Sequence, residues 1–503
     1  MITIQKYNEV HLKILSDDFS ALAEISEKFT FDVEGYKFMP AYRSGAWDGK
    51  IRLYSMQTKK MYLGLLGTLR KFLNDMGYEY ELKGFDKPNN ITLTDVKTYI
   101  ESLDLRMDGN KLEDRDYQTK AVYESLHREK LLFTVPTSGG KTSLTYSIVR
   151  WYLDKGLRTL IIVPTKELVT QSFNDFKDYS SHNGFDVDLN MHKIVGGSEK
   201  NTECGITVST WQSIYKLDAA WFDQFDVVIF DEAHKATSKE LSGIMDKTVN
   251  VKYKVGMTGT VQDAKTNRLV LEGLFGEIVP IITTKELMDM GFISNLKIQA
   301  LLLTYDDETK QDAMRYMRTQ ENGRLGKKVD YQKEIDFIVS NESRNNFIAN
   351  LAVRCDNTTL VLFNYVERHG VKLYELIRAK NPDAIVYMLD GSSSIDERAL
   401  VKEEAKNKPI IILASYALYS TGVSIPAIAN VIFAHPTKSK IRVLQSIGRG
   451  LRLFKGKSFA RLFDIADDLS YKTSENHSLK HFRERLELYI REDFDYVMNT
   501  VKV

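Results

Sequence analysis

A chain of 503 residues is too long for one hydrophobic core, and roughly three or four domains are expected. Hydrophobic residues make up 43% and charged residues 27%, as in ordinary globular proteins. The two cysteines, Cys204 and Cys355, form no CxxC pair, which argues against a disulfide scaffold or zinc ribbon and favours a reducing compartment. No apolar run approaches about 18 residues, and "MITIQKYNEVHLKIL" lacks a signal-peptide core, so a cytoplasmic protein without a membrane span is expected.

Positive charge is concentrated in two segments, although the formal net charge is only +1. Residues 37–71 hold eight Lys/Arg and one acid, Asp48, and residues 436–461 hold eight Lys/Arg and no acid. Two basic segments in a nearly neutral chain predict focused surfaces for an anionic ligand.

Residues 1–90 alternate strand-like and helical segments, which indicates a small α+β domain that binds nucleic acid. Within it, "AWDGKIRLY" predicts a hairpin around Asp48-Gly49. Tyr54 and Tyr62 are expected in the core, whereas Trp47 beside the turn is the better candidate to stack on unpaired bases. The residues expected to contact phosphate are Arg43, Lys50, Arg52, Lys59 and Lys60. The alternative is that this segment is an ordinary solvated face.

Two later stretches alternate short apolar strands with helical segments. The first has strands predicted at 131–135, 159–163, 205–209, 226–230 and 253–257. The second has strands predicted at 358–363, 384–389, 409–414, 430–434 and 460–465. Near-continuous apolar strands separated by helices are typical of parallel sheets covered on both faces, so two α/β domains in series are expected.

These patterns divide the chain at 1–90, 91–282, 283–456 and 457–503. The last segment is expected to be a strand and a short helical appendage, because "HSLKHFRERLELYIREDFDYVM" has helical apolar spacing. Residues 305–345 are polar and helix-prone, and we expect either helices packed on the second α/β domain or a mobile excursion.

A glycine-rich loop follows the first strand of the series, in "LLFTVPTSGGKTSL". Phosphate-binding loops usually have a glycine where Val135 stands, but the Gly-Lys-Thr end is kept. Lys141 would bind the β- and γ-phosphates, Thr142 would ligate Mg²⁺, and Gly139-Gly140 would supply the unusual φ angles. The alternative is a plain strand–helix turn with an exposed lysine.

The fourth strand of this domain ends in "DEAH". Ligands bind at the carboxyl edge of α/β sheets, so Asp231 is expected to hold Mg²⁺ and Glu232 to orient and polarise the attacking water. His234 is expected to couple this site to "MTGT" at 257–260. The alternative is an acidic pair that meets solvent at a strand end.

Two further constellations flank these motifs. Gln118, in "RDYQTKAV" before the loop, offers an amide that matches the N6/N7 edge of adenine. In "QSIGRGLR", Gln445 is followed by Arg449 and Arg452, which are three residues apart and are expected to share one helix face. Such arginines can neutralise γ-phosphate charge in the transition state; the alternative is a solvated basic helix.

The ordered set of these motifs resembles a superfamily 2 DNA helicase over about residues 110–455. "RDYQ" resembles the Q motif, "PTSGGKT" motif I, "PTKELVTQ" motif Ia, "DEAH" motif II and "MTGT" motif III. "LVLFNYV", "STGVSIP" and "QSIGRGLR" resemble motifs IV, V and VI. The chain departs from the family at Val135, at Ser138, where a glycine is common, and at Ser424, where an acid is common. The whole chain, including "RSGAWDGKIRLY", resembles the recombination helicases of T-even bacteriophages.

The resemblance implies two tandem RecA-like domains and an ATP-driven motor that remodels branched DNA in recombination, repair and replication. It implies a nucleotide site with ATP and Mg²⁺ at Arg115, Gln118, Pro136, Thr137, Ser138, Gly139, Gly140, Lys141, Thr142 and Gly422. It assigns catalysis to Lys141, Asp231, Glu232, Arg449 and Arg452, with Thr142 and Asp231 on the metal. It places DNA contacts at Thr165, Thr210, Tyr365 and Thr421. The implied partners are branched DNA and RNA–DNA hybrids, handled by a monomeric motor in the host cytoplasm with no membrane involved.

Three functions follow from this reading. The first is an ATP-dependent translocase acting on forks, D-loops, R-loops and four-way junctions. The second is a nucleic-acid clamp whose ATPase site serves as a switch, and the third is an RNA remodeller. If the N-terminal domain only selects the substrate, residues 95–503 should act as the motor by themselves.

Overall fold

The computed structural model describes residues 1–33, 35–86, 89–260, 265–321, 324–421, 425–455 and 457–503. The side chains at 265–266, 319–327, 395, 420–421 and 440–441 lie outside that description. By their internal contacts the residues form two compact units, Met1–Ile282 and Thr283–Val503.

The first unit begins with a sheet in which the described residues give the strand order β5-β6-β2-β1-β7. Its elements, with two short 3₁₀ turns at Tyr36–Phe38 and Leu63–Leu65, are β1 (Ile2–Lys6), β2 (His11–Leu15), α1 (Phe19–Lys28), β3 (Thr30–Asp32), α2 (Pro40–Arg43), β4 (Lys50–Arg52), β5 (Tyr54–Ser55), β6 (Lys60–Tyr62), α3 (Leu66–Asp75) and β7 (Tyr80–Lys83). Alternation along β1 and β2 buries Ile4, Leu12 and Ile14 with residues of α1 and α3.

The predicted hairpin around Asp48-Gly49 is wrong. Gly49 has the positive φ of a turn, +80°, but the strand after it pairs back with β3, so that Phe31 faces Ile51. Residues before the turn form α2 instead of a strand. The prediction that Tyr54 is core is confirmed, because Tyr54 is 1% exposed, and Tyr62 is partly buried against the same core.

This N-terminal part shares its core with the rest of the first unit. Leu269 of the following α/β domain packs in the same apolar cluster as β1 and β2. A Cβ at Gly64 would lie 2.1 Å from the carbonyl oxygen of Glu272, so the two surfaces meet backbone to backbone. The buried Lys254 donates from Nζ to the carbonyl oxygen of Glu9 at 2.8 Å. A motor made of residues 95–503 alone would expose this apolar face and leave Lys254 without that acceptor.

The α/β part of the first unit is a sheet whose described strands are all parallel, in the order β12-β13-β11-β14-β15-β10-β16. Its elements, with a 3₁₀ turn at Ala233–Thr237, are α4 (Leu93–Ser102), β8 (Arg106–Met107), β9 (Asn110–Lys111), α5 (Asp116–His127), β10 (Lys130–Thr134), α6 (Lys141–Leu153), β11 (Thr159–Val163), α7 (Lys166–Tyr179), α8 (Val187–Asn190), β12 (Met191–Ile194), β13 (Ile206–Thr210), α9 (Trp211–Ile214), α10 (Ala219–Phe222), β14 (Val227–Asp231), α11 (Lys239–Lys247), β15 (Tyr253–Thr258), α12 (Lys265–Phe275) and β16 (Glu277–Pro280).

The second unit repeats this architecture, with described parallel strands in the order β21-β22-β20-β23-β24-β17-β25. Its elements, with a π-helical turn at Val366–Gly370, are α13 (Thr284–Asp289), β17 (Asn295–Thr304), α14 (Asp307–Met317), β18 (Arg318–Glu321), β19 (Arg324–Val329), α15 (Tyr331–Ser340), α16 (Glu342–Val353), β20 (Thr359–Phe363), α17 (Val371–Lys380), β21 (Val386–Leu389), α18 (Ile395–Asn407), β22 (Ile411–Ser415), α19 (Tyr416–Thr421), β23 (Asn430–Phe433), α20 (Lys440–Gly450), β24 (Phe459–Asp468), α21 (His477–Arg491) and β25 (Tyr496–Lys502).

The segment 457–503 is an integral part of this sheet, which corrects the expected appendage. β24 lies between β23 and β17, and β25 pairs with the other side of β17. The helices α14 and α15, within residues 305–345, pack on the second unit, as one of the two expectations had it, because Met314, Met317 and Ile338 are buried in its core. The antiparallel pair β18–β19 was not predicted.

Within the described ranges, none of the helices combines the length and apolar character that crossing a bilayer requires.

Candidate active site

The glycine-rich loop joins β10 to α6 at the carboxyl edge of the first parallel sheet. Gly140 caps the N-terminus of α6 with φ +85°, and Lys141 is the first residue of that helix. The Nζ atom of Lys141 lies 3.4 Å from the carbonyl oxygen of Val135 and 4.0 Å from Oε1 of Glu232. A left-handed residue followed by a helix start directs backbone N–H groups and the helix dipole toward one point, which suits phosphate.

The backbone explains why the loop can lack its usual first glycine. Val135 is buried and continues the strand, donating its N–H to the carbonyl oxygen of Thr258 at 2.9 Å. The positive φ angles fall on Ser138, at +71°, and on Gly140, which corrects the expectation that Gly139-Gly140 supply them. Ser138 therefore holds a left-handed conformation that a glycine would adopt with less strain.

Two residues before the loop brace it. Tyr117 donates its hydroxyl to the carbonyl oxygen of Gly139 at 3.0 Å and accepts from Nη1 of Arg115 at 3.0 Å. Gln118 lies over the loop, since Nε2 donates to Oγ of Ser143 at 3.4 Å. The sequence analysis singled out Arg115 and Gln118 but missed Tyr117, whose hydroxyl bonds to the loop backbone.

The acidic motif lies at the end of β14, which β15 separates from β10 in the sheet. Asp231 ends β14, which pairs with β15, and Glu232 follows with φ +55°, in the left-handed region that costs a non-glycine residue energy. Nδ1 of His234 lies 3.2 Å from Oε2 of Glu232 and 2.9 Å from Oγ1 of Thr258. The predicted coupling of His234 to "MTGT" is thus observed as a contact between two buried side chains.

The two carboxyl groups have opposite electrostatic environments. Burial raises the pKa of Asp231, and the adjacent Glu232 raises it further. Burial also opposes ionisation of Glu232, but Lys141 and His234 together outweigh it and lower the pKa of Glu232 below its usual value. Glu232 is therefore the carboxyl that ionises first, and Asp231 is the one whose charge a bound cation would stabilise more.

The donor set fits a Mg²⁺ ion that arrives with a nucleotide. Among the described residues, no group of three or more His, Cys, Asp or Glu side chains could hold a metal by itself. Mg²⁺ characteristically takes one or two protein carboxylates together with substrate phosphates and water. Asp231, with Oδ1 accepting from the N–H of Glu232 at 2.9 Å, and the hydroxyl of Thr142 on the first turn of α6 match that pattern.

The arginine motif lies in the second unit. Arg449 is in the last turn of α20, whereas Arg452 follows the helix end, so the expectation that both share one helix face is corrected. Cζ of Arg449 lies 5.8 Å from the ring centre of Tyr419. Burial raises the pKa of Tyr419, and the positive charges of Arg449 and Arg452 offset part of that rise, so that the pKa is about 12. Both guanidinium groups therefore act on this ring.

Lys457 holds the backbone that carries these arginines, and the sequence analysis missed it. Its Nζ donates to the carbonyl oxygens of Pro426 at 3.3 Å, Arg452 at 2.9 Å, and Gly450. Burial lowers the pKa of Lys457 to about 8. The ammonium group thus satisfies carbonyls left over at the C-terminus of α20 and ties them to Pro426, the last residue of motif V.

The expected DNA contacts of the N-terminal domain differ in their exposure and in whether another side chain already pairs with them. Arg43, Lys50, Arg52 and Lys59 are exposed, and Lys60 is partly exposed. Arg52 is paired with Asp48, which weakens it as a phosphate ligand. Trp47 is partly buried and donates from Nε1 to the carbonyl oxygen of Lys50 at 2.9 Å.

The motif residues among the expected DNA contacts differ in exposure. Thr165 caps α7 through its side chain, and the side chain of Thr210 is buried against Ser213. Tyr365 is partly exposed, with Cζ of Arg368 3.6 Å from its ring centre. Gly422 and the side chain of Thr421 lie outside the described residues.

Comparisons with known proteins cover the whole chain. Residues 2–83 match the family described as DNA helicase UvsW, N-terminal; residues 111–263 match the res subunit of type III restriction enzymes; residues 343–454 match the helicase conserved C-terminal domain. The chain is 34% identical over 525 residues to the ATP-dependent DNA helicase uvsW of Enterobacteria phage T4, with 100% of both chains covered.

Two further similarities agree with that result. The DNA 3'-5' translocase XPB2 of Sulfurisphaera tokodaii is 26% identical over 379 residues, which cover 70% of this chain and 82% of that protein. The crystal structure of T4 UvsW has a TM-score of 0.51 and 33% identity, covering 100% of this chain and 99% of that structure. With its site motifs in place and its similarity extending from end to end, the chain belongs to the UvsW family of ATP-dependent DNA helicases.

Proposed function

We propose that this helicase uses ATP hydrolysis to move along DNA and thereby unwinds and branch-migrates forks, D-loops, R-loops and four-way junctions. Its partners are then branched DNA and RNA–DNA hybrids, and the motor acts as a monomer. The full-length similarity to T4 UvsW supports the helicase activity, and the exposed basic residues of the N-terminal domain supply a surface for the phosphate backbone.

Different residues bind the phosphates, recognise the adenine, hold the metal and act on the attacking water. Lys141 and the loop backbone bind the β- and γ-phosphates, and Gln118 reads the adenine edge. Thr142 and Asp231 hold Mg²⁺, which neutralises phosphate charge when bound. Glu232 orients and polarises the attacking water, and Arg449 and Arg452 stabilise the charge that develops on the transferred phosphoryl group.

The strained, ionised Glu232 is the observation that favours a motor over an ATP-switched clamp. Its left-handed φ of +55° costs energy, and its carboxylate is kept charged between Lys141 and His234. Binding a nucleotide requires neither feature, whereas hydrolysis needs a carboxylate held ready to act on water. A clamp that switches on ATP binding alone would have no use for that strain, whereas a clamp that hydrolyses ATP differs from a motor in displacing no strand.

A strand-displacement panel tests the proposal. Forks, four-way junctions, D-loops and R-loops of equal length would be compared with duplex RNA and unbranched duplex DNA, with and without ATP. We expect ATP-dependent product from the branched DNA substrates and the R-loop. Tight binding of all of them with DNA-stimulated ATPase but no displaced strand would instead identify a clamp, and activity confined to RNA duplexes would identify an RNA remodeller.

Arg452→Ala is expected to reduce ATP turnover by about 10³-fold, as removal of a transition-state arginine does, with little effect on DNA affinity. Steady-state phosphate release and fluorescence anisotropy of a labelled fork measure the two quantities. Arg461→Ala, on β24, is the matched control and should keep normal turnover. A loss of DNA affinity with normal turnover would reassign Arg452 to the DNA strand.

Lys457→Met is expected to lower turnover about 10- to 100-fold, because the carbonyls beside Arg452 lose their common donor and the arginines lose their position. Lys457→Arg should restore much of the activity. Since the pKa of Lys457 is about 8, wild-type turnover should decline above pH 8 as the amine loses its charge, and Lys457→Arg should move that decline to higher pH. A purely structural lysine would lower thermal stability in the Met variant without changing the pH profile.

A further inference from the structure

A second group of side chains suited to nucleic acid joins Lys60, within the basic segment 37–71, to two residues outside that segment, Tyr7 and Lys13. Tyr7, in the turn between β1 and β2, is 49% exposed. The Nζ atoms of Lys13 and Lys60 lie 4.4 Å and 4.3 Å from the centre of its ring. The main chain at Tyr7 is fixed in the turn, since the N–H of Tyr7 donates to the carbonyl oxygen of His11 at 3.0 Å.

The two lysines occupy the sheet face opposite the helices. They are direct cross-strand partners, because Lys13 of β2 pairs with Lys60 of β6. Their neighbours Leu12 and Met61 point to the buried face, so alternation directs both lysines to the other face, where each is partly exposed. Like charges directly opposite each other destabilise a sheet, and in the described part of the chain neither lysine forms an ion pair to relieve this.

The nearby acids of this sheet are already paired. Glu81 accepts from Lys83 at 2.6 Å, and Glu9 is held by Lys6 and Lys130. In the described part of the chain, the contact that Lys13 and Lys60 share is the face of the Tyr7 ring, while the negative charge of Asp246 acts on the neighbouring pair His11 and Tyr62. A ligand with full negative charge would bind both ammonium groups more strongly than the ring does.

We propose that Tyr7, Lys13 and Lys60 form a single-strand DNA site, in which a phosphate bridges the two lysines and a base stacks on the ring. The lysines leave the ring as they bind the phosphate, which frees the aromatic face for the base. The inference rests on the proposed action on branched DNA and names the unpaired strand beside the branch as the ligand of this face.

Four variants test the site by anisotropy of a labelled poly-dT oligonucleotide over a salt series. Lys13→Ala should reduce the slope of log K against log salt by about 0.7, the value for one lost single-strand phosphate contact. Tyr7→Ala should weaken binding about 5- to 150-fold, as loss of one stacked base does, and Tyr7→Phe should bind nearly as the wild type. Lys28→Ala is the matched control, because Lys28 also lies over a ring, that of Phe72, but on the helix layer, and should change nothing.

A second measurement separates a folding defect from a binding defect. Without DNA, Lys13→Ala should unfold at the same temperature as the wild type or higher, since a like-charge pair is removed, and the oligonucleotide should raise its Tm less. An unchanged salt slope in Lys13→Ala, or equal binding by Tyr7→Ala and wild type, overturns the site. The proposed function fails separately, if the wild type displaces no strand from any branched DNA.

Discussion

Replacing Lys141 by alanine is expected to reduce ATP turnover at least about 100-fold, the loss that follows removal of one preorganised charge contact to a transition state. The ammonium group lies between the loop and Glu232, at 3.4 Å from the carbonyl oxygen of Val135 and 4.0 Å from the carboxylate. The fold should survive, because the buried residues of α6 begin at Leu144. Steady-state phosphate release with and without DNA measures the effect.

The same variant tests the electrostatics of the site. Lys141 lowers the pKa of Glu232, so its removal raises that pKa. As the pH is lowered, the residual turnover of the variant should therefore begin to decline at a higher pH than the turnover of the wild type. Lys120→Ala, an exposed lysine on α5, is the control and should behave as the wild type. Near-normal turnover in Lys141→Ala would show that the loop does not bind the phosphates that react.

The buried strands could be predicted from sequence where they are continuous apolar runs. The strand predicted at 159–163 is observed as Thr159–Val163, because "TLIIV" is buried on both faces and carries its own signal. β17 was missed, since Asn295, Lys297 and Gln299 interrupt its first half. It extends over ten residues because β24 and β25 pair with it on both sides, and both partners lie more than 150 residues away in the chain.

Turn chemistry alone misled the prediction at Asp48-Gly49. The dipeptide favours a tight turn, and Gly49 does have a positive φ, but a hairpin also needs a strand before the turn. Pro40 starts a short helix there instead, and β4 finds its partner in β3. Pairing between segments separated in sequence overrode the local signal.

The candidate site also contains residues that could be located from local sequence and residues that could not. Lys141, Asp231 and Glu232 could be located because each belongs to a short motif whose chemistry follows from its own strand–loop–helix context. Tyr117 and Lys457 could not, because their roles depend on bonds to backbone carbonyls 22 and 31 residues away, at Gly139 and Pro426. Such bonds leave no residue pattern, since the acceptor is a carbonyl that every residue has.

Glu232→Gln is expected to keep nucleotide binding and to reduce turnover by about 10²- to 10⁴-fold, the usual contribution of a group that assists proton transfer from the attacking water. The amide has nearly the same shape as the carboxylate, so it can remain between Lys141 and His234 without disturbing the loop. A fluorescent ATP analogue measures binding, and single-turnover phosphate release measures hydrolysis. DNA affinity in the presence of ATP should rise, because the variant stops in the nucleotide-bound state.

The pKa values of the acidic pair make this prediction specific to Glu232. The negative charge of Glu232 raises the pKa of Asp231, so the neutral amide lets Asp231 ionise more readily and improves it as a Mg²⁺ ligand. Asp231→Asn, the matched variant, removes the ligand itself and should weaken Mg²⁺-dependent nucleotide binding as well as turnover. The two neighbouring substitutions should therefore have opposite effects on nucleotide affinity at low Mg²⁺. If Glu232→Gln also loses nucleotide affinity there, Glu232 belongs to the metal and some other group must position the water.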